Sequence, residues 1–299
     1  MPDINTLLCP IDFSEASCHA LEHARAIAAW YGAKVIGHHV YNPVYVPVPG
    51  LSVAGYQDGM SLEETILKDL KEQLEEWLKP AQAAGLQTEA IVDVGPPSHT
   101  ILARADTLKP GMLVMGTHGA SGFEHLVLGS VAENVLRQAV CPVMTVPPRA
   151  RATSRLPFKR ILCPTDFADQ SRTALEFAFS FAEEADAELT ILHVLEWSPD
   201  TGLTNRALNV PEYTRYQEED AAARLAAAVP DEVRQWCAPS TRLVHGTPYK
   251  EILGAATEDR ADLIVMGVHG RNAFDLMLFG STTNQVVRRA TCPVLTIRQ

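Results

Sequence analysis

Residues Met115 to Ser130 read MGTHGASGFEHLVLGS, and Met266 to Ser281 read MGVHGRNAFDLMLFGS. Both fit the pattern G-x2-G-x9-G-S: Gly116, Gly119, Gly129 and Ser130 in the first copy, Gly267, Gly270, Gly280 and Ser281 in the second. An apolar run leads into each copy, Met112 to Met115 and Leu263 to Met266, as a buried strand would. Helical periodicity follows, Val131 to Arg137 and Thr282 to Arg289. Each stretch therefore predicts a strand, a glycine-bearing loop and a helix that starts at Gly-Ser. The N-terminus of a helix carries unpaired N–H groups and the positive end of its dipole, which suits a phosphate. Glycines at the strand exit let backbone amides approach a ligand that a Cβ would keep away. The plainer alternative is that Ser130 and Ser281 are N-caps and the glycines only serve turns. Identical spacing in two copies favours the ligand.

The duplication extends outward from these loops over the whole chain. LLCPIDFSEASCHALEHARAIAAWYGAKVIGHHV from Leu7 matches ILCPTDFADQSRTALEFAFSFAEEADAELTILHV from Ile161. Asp12 pairs with Asp166 and His39 with His193; further on, Gly95 pairs with Gly246 and Cys141 with Cys292. The first half reads as strand 4–11, helix 14–31, strand 33–41, helix 61–84, strand 86–93, helix 97–108, strand 111–116, helix 129–139 and strand 142–146. The second half repeats this as strand 160–165, helix 169–185, strand 188–195, helix 211–236, strand 241–245, helix 248–258, strand 262–267, helix 280–290 and strand 293–298. Strands alternating with amphipathic helices predict an α/β fold, with a mainly parallel sheet covered on both faces. Two domains are expected, 1–147 and 158–299, joined by a solvated linker from Pro147 to Pro157. The proline- and glycine-rich run from Tyr41 to Gly59 is too irregular for an element, and either covers a site or merely tethers.

Composition narrows the function classes. The 299 residues are 46% hydrophobic and 20% charged, a globular balance, with a net charge of −11. That charge gives no electrostatic footprint for nucleic acid or an anionic membrane. No run approaches a membrane span, and the N-terminal MPDINTLLCPIDF lacks a basic region, so the cytoplasm is the expected compartment. None of the six cysteines forms a Cys-x-x-Cys pair; Cys9, Cys163, Cys141 and Cys292 recur at matching points and read as small buried residues.

In an open parallel sheet ligands bind at the carboxyl ends of strands where the strand order reverses. Asp12 and Asp166 stand at the end of the first strand of each half, able to accept from a ribose hydroxyl or a base amine, or to cap the next helix. Pro-x-Asp-Phe after the first strand, His-Val ending the second and G-x2-G-x9-G-S before the last helix resemble the universal stress protein family, over essentially the whole chain. The resemblance implies two tandem Rossmann-like domains, each with five strands in the order 3-2-1-4-5. It also implies ATP with Mg, the adenine lying near Asp12 and Val40 in one half and Asp166 and Val194 in the other. The implied triphosphate contacts are Gly116, Gly119, Gly129, Ser130 and Val131, and then Gly267, Gly270, Gly280, Ser281 and Thr282. Flanking residues complete the candidate set: Pro10, Ile11, Met115 and His118, with Pro164, Thr165, Met266, His269 and Arg271. His118 and His269 serve either phosphate contact or loop packing.

The copies differ where it matters. Ala120 follows the second glycine of the first loop where the second loop has Arg271, and Thr282 and Thr283 replace Val131 and Ala132. Equal affinity in the two halves is therefore not expected. There is no G-x-x-x-x-G-K-[ST], and neither loop offers a lysine or paired carboxylates to position water, so any ATP hydrolysis should be slow. His38 and His39 are adjacent on a strand and point to opposite faces, so they cannot share a metal. The expected function is a nucleotide-dependent conformational or assembly switch. The alternatives are an interaction module that binds no nucleotide, and a slow ATPase. The short apolar final strands predict that the halves pair as an intrachain pseudo-dimer, with a homodimer as a further form.

Overall fold

The computed structural model describes residues 4–43, 62–117, 128–148, 150, 158–196, 210–237, 239–268 and 280–298. The first half runs β1 (Thr6–Pro10), α1 (Glu15–Tyr31), β2 (Lys34–Tyr41), α2 (Leu62–Ala83), β3 (Thr88–Val94), α3 (Pro97–Leu108), β4 (Met112–Gly116), α4 (Ser130–Gln138) and β5 (Val143–Val146). The second half runs β6 (Arg160–Pro164), α5 (Asp169–Ala185), β7 (Glu188–Leu195), α6 (Val210–Ala227), α7 (Val233–Trp236), β8 (Ser240–His245), α8 (Pro248–Glu258), β9 (Leu263–Gly267), α9 (Ser281–Arg289) and β10 (Val294–Ile297).

The strands form one ten-stranded sheet in the order β3-β2-β1-β4-β5-β10-β9-β6-β7-β8. Each half thus has the expected 3-2-1-4-5 order, parallel throughout. The halves join where β5 and β10 pair antiparallel, Met144 opposite Leu295. Two threonines seal this seam reciprocally: Thr145 Oγ1 donates to the Val294 carbonyl at 3.2 Å and Thr296 Oγ1 to the Val143 carbonyl at 3.0 Å. The predicted pseudo-dimer is therefore built from a shared sheet, and the inner edges of the two halves are used up by each other.

Side-chain alternation along buried strands explains the layers. Leu7, Cys9, Val35, Met112, Met144, Ile161, Leu263 and Leu295 face one side, under α1, α2, α5 and α6, and belong to one apolar cluster. Leu8, Ile36, Leu113, Val143, Leu162, Ile264 and Val294 face the other, under α3, α4, α8 and α9, and belong to a second. Each cluster draws on both halves, so the core is divided by the sheet and not by the duplication. Off the sheet, the Tyr31 hydroxyl of α1 donates to Glu184 of α5, and Glu133 of α4 bonds Arg137 at 2.9 Å and Arg288 of α9 at 3.6 Å.

The structure departs from the sequence reading in two places. The helix expected over 211–236 is broken into α6 and α7, and the break falls at Pro230. Proline has no N–H to give the carbonyl four residues back. Here the Arg234 guanidinium donates to that carbonyl, on Ala226, at 2.6 Å. The linker expected to be solvated lies outside the described residues except at 147, 148 and 150, and Ala150 is buried. The long first-half loop lies almost wholly outside them too. Cys9, Cys141, Cys163 and Cys292 are buried free thiols, as expected; burial pushes Cys9 and Cys292 up to about 12 and Cys141 to about 11.

Candidate functional site

At the carboxyl ends of β1 and β4 a cavity of about 290 Å³ opens in the first half, near the lower end of what small-molecule sites enclose. Its wall brings together Pro10, Ile11, Asp12, Val40, Met115, Gly116, Gly129, Ser130 and Val131 from the sequence-derived set. It adds Ser17, His38, His39, Pro97, Ile101, Thr117 and Ala132. In the second half Pro164, Thr165, Asp166, Val194, Met266, Gly267, Gly280, Ser281 and Thr282 occupy the equivalent ends of β6, β7, β9 and the start of α9. His118, Gly119, His269, Gly270 and Arg271, with Ala120, lie outside the described residues.

The helix starts are made by glycine. Gly129 and Gly280 are the N-cap residues of α4 and α9, with extended ψ and no side-chain cap bond. Ser130 and Ser281 are the first residues inside the helices, so they do not cap as the plainer alternative held. The first amides of α4 border the cavity without a capping side chain in the way. In both halves the loop ends are tied together: Gly129 N–H donates to the Thr117 carbonyl at 2.9 Å, and Gly280 N–H to the Val268 carbonyl at 3.1 Å. Thr283 of α9 donates to the Gly267 carbonyl at 3.0 Å, where the first half has Ala132. Gly116 and Gly267 owe their identity to packing. A Cβ on either would stand 3.0 Å from the backbone carbonyl of Ala16 or Gln170, in the first turn of α1 or α5.

The aspartates are held by local turns. Asp12 Oδ1 accepts from the Ser14 N–H at 3.1 Å and the Ser14 hydroxyl at 2.5 Å, while Ser14 itself caps α1 by accepting from the Ser17 N–H at 3.2 Å. Asp166 Oδ1 accepts from the Ala168 N–H at 3.1 Å and from the Ser171 hydroxyl. Neither aspartate is the N-cap residue of the following helix. The next residue, Phe13 or Phe167, has a positive φ, 62° or 63°. Such a backbone disfavours a bulky side chain and persists only where its surroundings impose it. Each phenyl lies against the histidine of the His-Val pair, Phe13 on His39 at 4.6 Å and Phe167 on His193 at 4.3 Å between centroids. Each of these imidazoles bonds back, Nδ1 to the Ile11 or Thr165 carbonyl at 2.7 Å. The second motif residue thus pins the first strand's exit, a link no spacing rule reveals.

One group has no counterpart in the other half. The His38 side chain is fully buried and its Nε2 lies 2.9 Å from Asp93 Oδ2. Arg104 of α3 grips the same carboxylate, Nε at 2.9 Å and Nη2 at 2.6 Å from its two oxygens. Burial pushes His38 below its ordinary value, against the pull of Asp93. Burial alone would raise Asp93, but the bonds from Arg104 and His38 outweigh it and hold the carboxyl low. In the aligned second half these three positions are Leu192, Val244 and Ala255. Aligning the copies residue by residue would have flagged this triad.

Comparison with known proteins agrees with this arrangement. The model of the "Universal stress protein family" matches residues 4–147 and again 157–298. A universal stress protein of Mycolicibacterium smegmatis is 27% identical over 98% of this chain and 96% of its own length. One from Methanocaldococcus jannaschii is 32% identical over 48% of this chain and 83% of its own. The crystal structure of a universal stress protein from Archaeoglobus fulgidus superposes with a TM-score of 0.67 at 27% identity, covering 99% of this chain and 98% of that one. With two matched copies, one shared sheet and a full-length structural likeness, the chain belongs to the universal stress protein family as a tandem, two-domain member.

Proposed function

We propose that this chain binds an adenine nucleotide, ATP with its Mg2+, at the strand ends of each half and acts as a nucleotide-dependent conformational or assembly switch. The observation that carries the reading is the cavity at β1 and β4, which has an uncapped helix start at one side and an apolar slot at the other. The α4 amides would meet phosphate oxygens, since a helix N-terminus favours negative charge. Val40, Pro97 and Ile101 would flank the base, and Asp12 would accept from a ribose hydroxyl or a base amine. Among the described residues no three His, Cys, Asp or Glu side chains cluster to hold a metal. Mg2+ would therefore arrive on the phosphates, as it does where one or two protein ligands suffice. Among the described residues no helix is long and apolar enough to cross a membrane.

A switch needs a path between the site and the rest of the molecule. Helix α4 supplies one: Ser130 and Val131 border the cavity, and Glu133 on the same turn bonds Arg288 of the other half at 3.6 Å. A ligand that shifted α4 would bear on the contact between halves. With β5 and β10 paired to each other, assembly of two chains would have to use other surfaces, such as the outer edges at β3 and β8.

The test is calorimetric titration of purified, nucleotide-free protein with ATP·Mg. Two ATP per chain are expected, with one site lost in Asp12→Ala and the other in Asp166→Ala. Absence of binding by the wild type, together with no nucleotide released on denaturation, would refute the reading.

A further inference from the structure

We propose that Glu133 tunes the charge preference of the first site, weakening its hold on the phosphate tail of a nucleotide through a negative charge that the second half does not carry. This rests on the adenine-nucleotide reading above and assigns the two halves different responses to an anionic ligand. The four residues before Glu133, Gly129 to Ala132, all border the cavity. Its own N–H donates to the carbonyl of the capping Gly129 at 2.9 Å. At the helical rise per residue its Cα stands about 6 Å from that cap along the axis. Glu133 is the acidic residue in the first turn of α4. A carboxylate there favours the helix start while the site is empty, because it faces the positive end of the dipole. Once a phosphate takes the same end, the two negative charges repel.

The second half has Asn284 at this point, its N–H on the Gly280 carbonyl at 2.9 Å, and α9 has no acidic residue in its first turn. The neighbouring cations do not undo the difference. Arg137 and Arg288 bond Glu133 at 2.9 Å and 3.6 Å. They are also each other's counterparts, at matching points of α4 and α9. Each helix therefore carries one of them and faces the other across the seam. What separates the two helix starts, in their first turns, is a single carboxylate.

The test titrates the full chain with ATP·Mg and reads each half separately by hydrogen-exchange mass spectrometry. Protection of peptides spanning β1 and β2 reports the first half, and of those spanning β6 and β7 the second. In about 50 mM salt, Glu133→Gln should tighten binding in the first half about twofold to fourfold, the effect of one charge about 10 Å from the doubly negative ligand in a water-like medium. Asn284→Glu should weaken the second half by a similar factor. Glu133→Asp, which keeps the charge, should leave the first half as it was. The first two changes should vanish in about 500 mM salt, where the screening length is about 4 Å. A merely structural role would move affinity without regard to charge or salt. Unchanged or weaker first-half binding in Glu133→Gln, or a gain that survives the higher salt, would overturn the proposal. ATP protection absent from the wild-type first half would overturn the nucleotide reading and this proposal with it.

Discussion

Leu295 lies on the last strand of the second half, yet its replacement should loosen the first half equally. It is fully buried, sits opposite Met144 across the β5–β10 seam, and belongs to the apolar cluster that runs under α1, α2, α5 and α6. Leu295→Ala removes three buried carbons and leaves a cavity in a sheet interior that cannot collapse freely, a loss of about 2–5 kcal/mol. If the two halves unfold as one unit, that loss divides the exchange protection of every globally protected amide by the same factor, about 30-fold to several-thousand-fold. Native-state hydrogen exchange reads this directly. Leu7, Leu8 and Leu113, in β1 and β4, should fall with Ile264 and Val265 in β9. Met144→Ala should do the same from the other side of the seam. The double variant should lose less than the two losses added, because the two residues share one contact. First-half amides that kept their protection in Leu295→Ala would mean two independent folding units joined by a dispensable seam, and the shared-core reasoning would fail.

Glycine replacements should separate packing from helix propensity. Gly116→Ala pushes a Cβ against the Ala16 carbonyl and should cost about 1–3 kcal/mol, whereas Gly254→Ala, in α8 with nothing within 4 Å, should gain about 0.5–1 kcal/mol; urea midpoints moving the same way would contradict this. Tyr31→Phe removes a cross-half bond to a carboxylate and should lower stability by about 1.5–3 kcal/mol in the same assay, and an unchanged midpoint would show the bond to be idle. For pH, His38 is held below its ordinary 6.5, so between its folded value and 6.5 the unfolded chain binds a proton that the native chain does not. Stability is then fully present above 6.5 and falls as pH drops below it, at up to about 1.4 kcal/mol per pH unit. His38→Leu should flatten that part of the profile, and an unaltered slope would mean that His38 is not the group responsible.

The fold was legible because parallel strands buried on both faces are written as apolar runs, and the chain writes the series twice. The seam was legible too: short apolar strands at 142–146 and 293–298 need partners, and a duplicated domain provides them. What escaped was chemistry spread across the chain. His38, Asp93 and Arg104 are 55 and 11 residues apart along it, and only the β2–β3 register with α3 beside it makes them neighbours. The positive φ at Phe13 and Phe167 was hidden for a related reason. A bulky residue there contradicts local preference, and the choice is explained by what packs on its ring: the imidazole in both halves, with Trp77 edge-on to Phe13 and Arg224 over Phe167. The sequence suggests that Gly116 lets a ligand approach the backbone; what the structure shows is that a Cβ there would meet the first turn of α1, with the glycine in the cavity wall. The break at Pro230 is hidden in the periodicity, which runs on through a residue that cannot continue a helix.

The triad also explains why the halves should differ in kind as well as in affinity. A lone arginine at the Ala255 position, or a lone aspartate at that of Val244, would set a charge beside an apolar slot without its partner. A histidine at the Leu192 position would add two polar ring atoms to a fully buried site. Of the three, only the histidine is fully buried, since the Asp93 and Arg104 side chains keep 23% and 30% of their surface exposed, so the penalty of an unpaired buried group falls mainly on it. Together the three form a bonded set, with Nδ1 of His38 buried and without a hydrogen-bond partner among the described residues. Leucine, valine and alanine would have filled the same space without that loose end, as they do in the second half. The first half therefore keeps a bonded polar set behind its cavity where the second half packs apolar side chains. If both halves hold the same ligand, the two sites therefore differ in the wall behind them, charged and bonded in the first and apolar in the second.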